Sequence, residues 1–286
     1  MFGVVITSTV EQRAEWLKEV QQIVKRYFPV ENGRKDYPIL EFDATSKAIT
    51  EPSCIIQPID APEHCVVCFF QEVITKVCQK GKAKVIARQK WEHGTHPVYE
   101  LDMDGKRLAV FHPGVGAPMA AGLLEEVIAL GCKKFIACGG AGVLDGKIAV
   151  GHIVVPSAAV RDEGTSYHYL PPGREVSASS EGVAAIEKVL KAHHCDYIVS
   201  KTWTTDAPYR ETPAKIQLRK SEGCLAVEME AAAFFAVAQF RGVTFAQILY
   251  GGDDISGSEW DSRRWNEQTS VREELFWLAA EACLVL

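Results

Sequence analysis

The chain has 286 residues, 47% of them hydrophobic and 24% charged, which suits one large α/β domain or a domain with an appendage. Its 31 basic and 37 acidic residues give a net charge of −6 with no basic cluster, which argues against nucleic acid as a partner. No apolar run approaches membrane-spanning length, and residues 1–10 lack the basic flank and cleavage site of a signal peptide, so the expected setting is cytoplasmic, with no membrane partner.

Nine cysteines, an odd number, do not suggest a disulfide framework. Cys65 and Cys68 form a CxxC within the apolar run Cys65–Val66–Val67–Cys68–Phe69–Phe70. On a strand, residues three apart point to opposite faces and cannot share one metal ion. With no second CxxC and no HExxH, no metal site is expected, and the thiols read as small core hydrophobes.

In chain order, Glu11 to Phe28 reads as an amphipathic helix with Ala14, Leu17, Val20, Val24 and Phe28 near one face, and Thr9 with Gln12 offers a capping box. Pro29, Pro38, Pro52, Pro58 and Pro62 then break the chain into an extended connector, placed to wrap the core or a neighbouring subunit. Residues 1–62 are therefore read as helix plus connector, and 63–286 as the main domain. From Cys65 onward strands alternate with helices. Arg107 to His112 is a strand, Gly114–Val115–Gly116 a turn, and Pro118 to Leu130 a helix with proline in its first turn and Gly131 just past its end. Lys134 to Cys138 is a strand closed by Gly139–Gly140–Ala141–Gly142. Strands follow at His152–Pro156 and Tyr197–Trp203, then a helix after Glu228 and a strand at Val243–Tyr250. This alternation predicts an α/β fold with a largely parallel, covered sheet, and polar segments just beyond strand ends mark the expected ligand site.

Those segments carry the chemistry. Gly114–Val115–Gly116 at a helix start is either a tight corner or a cradle of N–H groups for an anion. Gly140 and Gly142 permit close backbone approach. Arg161 to Tyr169 and Thr204 to Thr212 each crowd charge, hydroxyl and ring into nine residues, as ion-paired loops or as ligand contacts. Asp253 and Asp254 follow a strand; one of them is a candidate general acid, or else both cap the next helix. Val227–Glu228–Met229–Glu230–Ala231–Ala232–Ala233 places two acids at the start of a helix whose alanines demand burial, so the carboxylates need polar partners, such as vicinal sugar hydroxyls.

Strand–GxG–Pro-helix, the second glycine run, Glu228–Met229–Glu230 before alanines, and an acid after the last strand together resemble the nucleoside phosphorylase/uridine phosphorylase superfamily over Cys65 to Leu286. That superfamily includes purine and uridine phosphorylases and hydrolytic nucleosidases. The resemblance implies a three-layer α/β/α fold around a mixed, largely parallel twisted sheet, a homo-oligomer (dimer, trimer or hexamer), and no cofactor, with phosphate as co-substrate to a nucleoside. It assigns Glu230 to the ribose hydroxyls, Met229 to the sugar or base, Glu228 to the same pocket, and Asp253 to protonation of the departing base. It sets Gly114, Val115 and Gly116 beside phosphate and Gly140 and Gly142 beside the base.

The chain also departs from that family. A GDPxR-type phosphate loop is missing; the equivalent stretch is Phe69–Phe70–Gln71–Glu72–Val73, and Pro113 stands where uridine enzymes carry a hydroxyl. Phosphate would then need Arg88, Arg161, Arg210 or an arginine from a neighbouring subunit, with Arg161 preferred. After Tyr209 the chain reads Arg210–Glu211–Thr212, without the Gln and Arg that read uracil, which favours a purine-like base. The leading expectation is a nucleoside phosphorylase. Alternatives are a uridine phosphorylase, a nucleosidase, with Glu72 the acid closest to a water-activating position, and a non-catalytic nucleoside-binding protein. A dinucleotide-binding dehydrogenase is excluded, because Gly114–Val115–Gly116–Ala117–Pro118–Met119 lacks the third glycine.

Overall fold

The computed structural model describes residues 18–19, 34–80 and 83–286. The helix expected at Glu11 to Phe28 lies outside the described residues except at 18–19, which are helical. Residues 34–62 form two proline-initiated 3-10 turns, Pro38–Leu40 and Pro52–Cys54, in otherwise extended chain.

Ten strands form one sheet. They are β1 (His64–Cys68), β2 (Lys84–Trp91), β3 (Gly94–Met103), β4 (Lys106–Phe111), β5 (Lys134–Val143), β6 (Ile153–Asp162), β7 (Glu175–Ser177), β8 (Tyr197–Thr205), β9 (Cys224–Glu228) and β10 (Thr244–Asp254). Parallel pairings join β4, β1, β5 and β10 in the middle, and β6, β8 and β9 beyond. The antiparallel β2–β3–β4 meander extends one side. On the other side β10 pairs antiparallel with β6, while β9 returns antiparallel to β5 through Gly142↔Val227. The strands β5–β10–β6–β8–β9 thus close into a ring.

Helices cover both faces, giving the three layers. On one face lie α2 (Ala117–Leu130) and α5 (Ala231–Arg241), whose alanines pack with Phe135, Phe234 and Phe245. On the other lie α1 (Gln71–Lys80), α3 (Ser180–Ala192) and α6 (Thr269–Leu284), packed on Val66, Ile136 and Ile248. A shorter helix, α4 (Pro213–Ser221), precedes β9. Cys65 belongs to the first cluster and Cys68 to the second, as alternation along a strand requires. All nine cysteines are free thiols.

One sequence expectation is corrected. Gly139–Gly140–Ala141–Gly142 is no closing turn but the second half of β5, which runs on to Val143. Its glycines are required by packing: a Cβ on Gly140 would lie 3.0 Å from the Tyr250 ring, and one on Gly142 3.0 Å from Val227. Glycine here admits neighbouring strands as the sheet curls shut.

Phe245 is the keystone of the first cluster, stacked on Phe234 at 4.8 Å and on Phe135 at 5.9 Å between ring centroids. Phe245→Ala is expected to cost about 3–5 kcal/mol, read as a lowered denaturation midpoint by circular dichroism.

Candidate functional site

The site is built at the end of β9, where the chain turns into α5. The first N–H groups of a helix have no partner within it. Here they are met from the sheet. Glu228 Oε2 accepts from the N–H groups of Glu230 (2.8 Å) and Ala231 (2.6 Å). Thr204 Oγ1, one strand away on β8, accepts from Ala232 N–H at 3.0 Å and donates to Glu228 Oε1 at 2.6 Å. Glu228 is buried, and burial pushes its carboxyl up to about 7. Both its oxygens are engaged by protein donors, so it is a helix cap more than a pocket wall.

Glu230, two residues on, turns the other way. Its Oε1 accepts from Gly116 N–H at 2.5 Å, binding α5 to the glycine turn before α2. Burial, and then the nearby Glu228, push its carboxyl up to about 8. Gly114 and Gly116 hold φ values of +75° and +91°, which side chains resist. Val115 between them is 65% exposed. The turn donates inward: Gly114 N–H goes to His112 Nδ1 at 2.9 Å, as Gly116 N–H goes to Glu230. His112 Nε2–H in turn donates to the Phe69 carbonyl at 3.1 Å, which fixes the tautomer, and burial holds the ring below the usual histidine range. The Phe69 ring packs beside His112 and Phe234, and close to Gly139.

Asp253, near the end of β10, rests against Gly142; a Cβ there would stand 3.5 Å from its Oδ1. Because Gly142 pairs with Val227, Asp253 lies beside the strand that leads into the Glu228–Met229–Glu230 turn. Asp253 Oδ2 accepts from Trp260 Nε1–H at 2.7 Å. Burial, with the Asp253 charge opposite, pushes Glu211 up to about 7. Met229 is half-buried beside its two acids.

The arginines go elsewhere. Arg161 is buried; Nε donates to Ser166 Oγ, Nη1 to the Pro171 carbonyl at 2.8 Å and Nη2 to the Leu170 carbonyl at 3.2 Å. With its guanidinium 4.2 Å from the centre of the Tyr167 ring, it clamps the loop after β6. Arg88 and Arg210 are exposed, and Tyr209 is 98% exposed. Among the described residues no group of three or more His, Cys, Asp or Glu is placed to hold a metal ion, and no helix is long and apolar enough to cross a membrane.

Sequence reasoning missed Thr204, Glu211 and Trp260 as individual groups, though the first two lay in a segment it marked. Glu211 carried a usable signal, an acid directly before a proline-initiated helix and after a tyrosine turn.

Residues 63–276 match the family model described as the phosphorylase superfamily. A guanosine phosphorylase of Halorubrum lacusprofundi is 32% identical over 169 residues, 57% of this chain and 68% of its own. A purine nucleoside phosphorylase DeoD-type of Haemophilus ducreyi is 27% identical over 76% of this chain and 94% of its own. Among solved structures, a uridine phosphorylase from Vibrio fischeri superposes with a TM-score of 0.68 at 20% identity, covering 84% of this chain and all of the other. An AMP nucleosidase from Bacteroides thetaiotaomicron does so with 0.64 at 22% identity, covering 80% and 90%.

Glu228→Ala orphans the Glu230 and Ala231 N–H groups and is expected to cost about 2–4 kcal/mol by urea denaturation. Glu228 and Glu230 bind protons more tightly folded than unfolded, where a carboxyl titrates near 4.3. Their contribution to stability is therefore fullest below about pH 4.3 and is lost as pH rises through about 7 to 8. Glu230→Gln is expected to shrink the fall in Tm between about pH 5.5 and about pH 8.5, measured by calorimetry.

Proposed function

The chain belongs to the phosphorylase superfamily, and from that premise we propose that it cleaves the N-glycosidic bond of a nucleoside carrying a purine-like base. The observation that carries this reading is that Glu230 is tied to the glycine turn while Asp253 lies against Gly142, on the strand that pairs with the one leading into Glu230.

As the C1′–N bond breaks, its electron pair leaves with the base and positive charge gathers on the sugar. Asp253 donates a proton to a ring nitrogen of the departing base, which relieves the charge there. Glu230 holds the ribose hydroxyls and steadies the cationic sugar, with Met229 packed beside it. An acceptor oxygen then adds to C1′ from the opposite face. Two features favour a purine: an acid at Asp253 and the absence of a uracil-reading Gln and Arg after Tyr209.

Phosphate is the acceptor suggested by the phosphorylase relatives, and the product would be a pentose 1-phosphate. A second reading, with water as acceptor, is favoured by specific contacts. The Gly114 and Gly116 N–H groups are spent on His112 and Glu230, Phe69 packs beside them, and Arg161 is committed to its loop. A phosphate would have to recruit an exposed group such as Arg88 or Arg210, or a residue from a second subunit.

The test is base release from guanosine, inosine, adenosine, uridine and thymidine, with and without phosphate. Purine release that requires phosphate supports phosphorolysis, and release without it supports hydrolysis. Glu230→Ala is expected to lower kcat/KM about 100-fold or more at unchanged far-UV circular dichroism; turnover near that of the wild type would remove the sugar-holding role.

A further inference from the structure

After Asp254 the chain leaves the sheet in a strap, residues 255–265, rooted firmly at both ends. Asp254 and Asp261 exchange backbone hydrogen bonds of 2.8 and 3.0 Å. Arg263 pairs with Asp254 and donates to the Ile148 carbonyl at 2.6 Å. Tyr250 Oη donates to the Trp265 carbonyl at 2.8 Å where the strap ends.

Just before the anchored Asp261 sits Trp260, 64% exposed and part of none of the hydrophobic clusters. Burial therefore does not explain an indole here. Its directed contact is Nε1–H to Asp253 Oδ2 at 2.7 Å. An indole N–H donates and never accepts, so it restrains the Asp253 carboxyl by holding one of its oxygens.

We propose that Trp260 is a positioning residue that, through its hydrogen bond to Oδ2, fixes the orientation in which the Asp253 carboxyl meets the departing base. This rests on the reading of Asp253 as proton donor. The other titratable groups about Asp253 are Glu211, from the turn before α4, Tyr250 and Asp254 on β10, and Asp261 on the strap; Asp254 and Asp261 both pair with Arg263. Only the indole offers Asp253 a side-chain hydrogen bond among the described residues.

The test compares Trp260→Phe, which keeps a ring and deletes the donor, with Asp253→Asn, on the nucleoside the wild type turns over fastest. Trp260→Phe is expected to lower kcat about tenfold with KM within about twofold, at unchanged Tm. If Trp260→Phe matches the wild type in both kcat and KM while Asp253→Asn is inactive, the positioning role is overturned and the proton donor stands. If Asp253→Asn retains full turnover, the proton-donor reading itself falls and this role falls with it.

Discussion

The N–H groups of Ala231 and Ala232 must find acceptors outside their helix, and the rest of the site depends on how they do so. Glu228 and Thr204 reach across from neighbouring strands to supply them. That arrangement ties β8, β9 and α5 into one unit and fixes the turn between Glu228 and Glu230. It also explains why two acids of similar sequence context have different tasks. The first is saturated by the backbone it caps, and the second is aimed across the site at Gly116. The alanines that follow are buried, letting the helix come close enough for these bonds to form.

The electrostatic character of the site follows from that geometry. Glu228 and Glu230 are crowded by Glu163 and Asp206, while burial holds the histidine at the glycine turn below its usual range and Gly114 N–H occupies its Nδ1. Carboxyls that hold their protons toward neutrality suit uncharged hydroxyl-bearing ligands, which they can meet as donors or acceptors. An anion would find no buried cation among these groups, and this is the physical tension between the phosphorylase relatives and the contacts of this chain.

Much of the architecture was legible because its punctuation is local. Pro118 and Gly131 bound α2 within a residue, and β4 and β10 begin within one residue of their expected starts. The glycine run of β5 was misread because glycine ordinarily weakens a strand, and only the curled sheet, with Tyr250 and Val227 pressed against it, shows why it belongs there. The order of the site segments was readable, but the division of labour was not. Arg161 in sequence is a cation after a strand, and its capture by the Leu170 and Pro171 carbonyls depends on the path of a loop ten residues long. Thr204 meets Glu228 through the register of two parallel strands far apart in sequence.

Ring closure has a further effect on how the protein meets its neighbours. A strand edge is a template for unwanted pairing, and closing β5–β10–β6–β8–β9 leaves only the three-residue β7 as an edge in the half of the sheet that bears the site. The long edge that remains is β2, at the far end. It is kinked by a register shift between Val85 and Ala87 and carries exposed Lys84, Arg88 and Lys90. Irregularity and like charge make that margin a poor template for strand addition, so the topology that gathers the carboxylates also guards the sheet against aggregation.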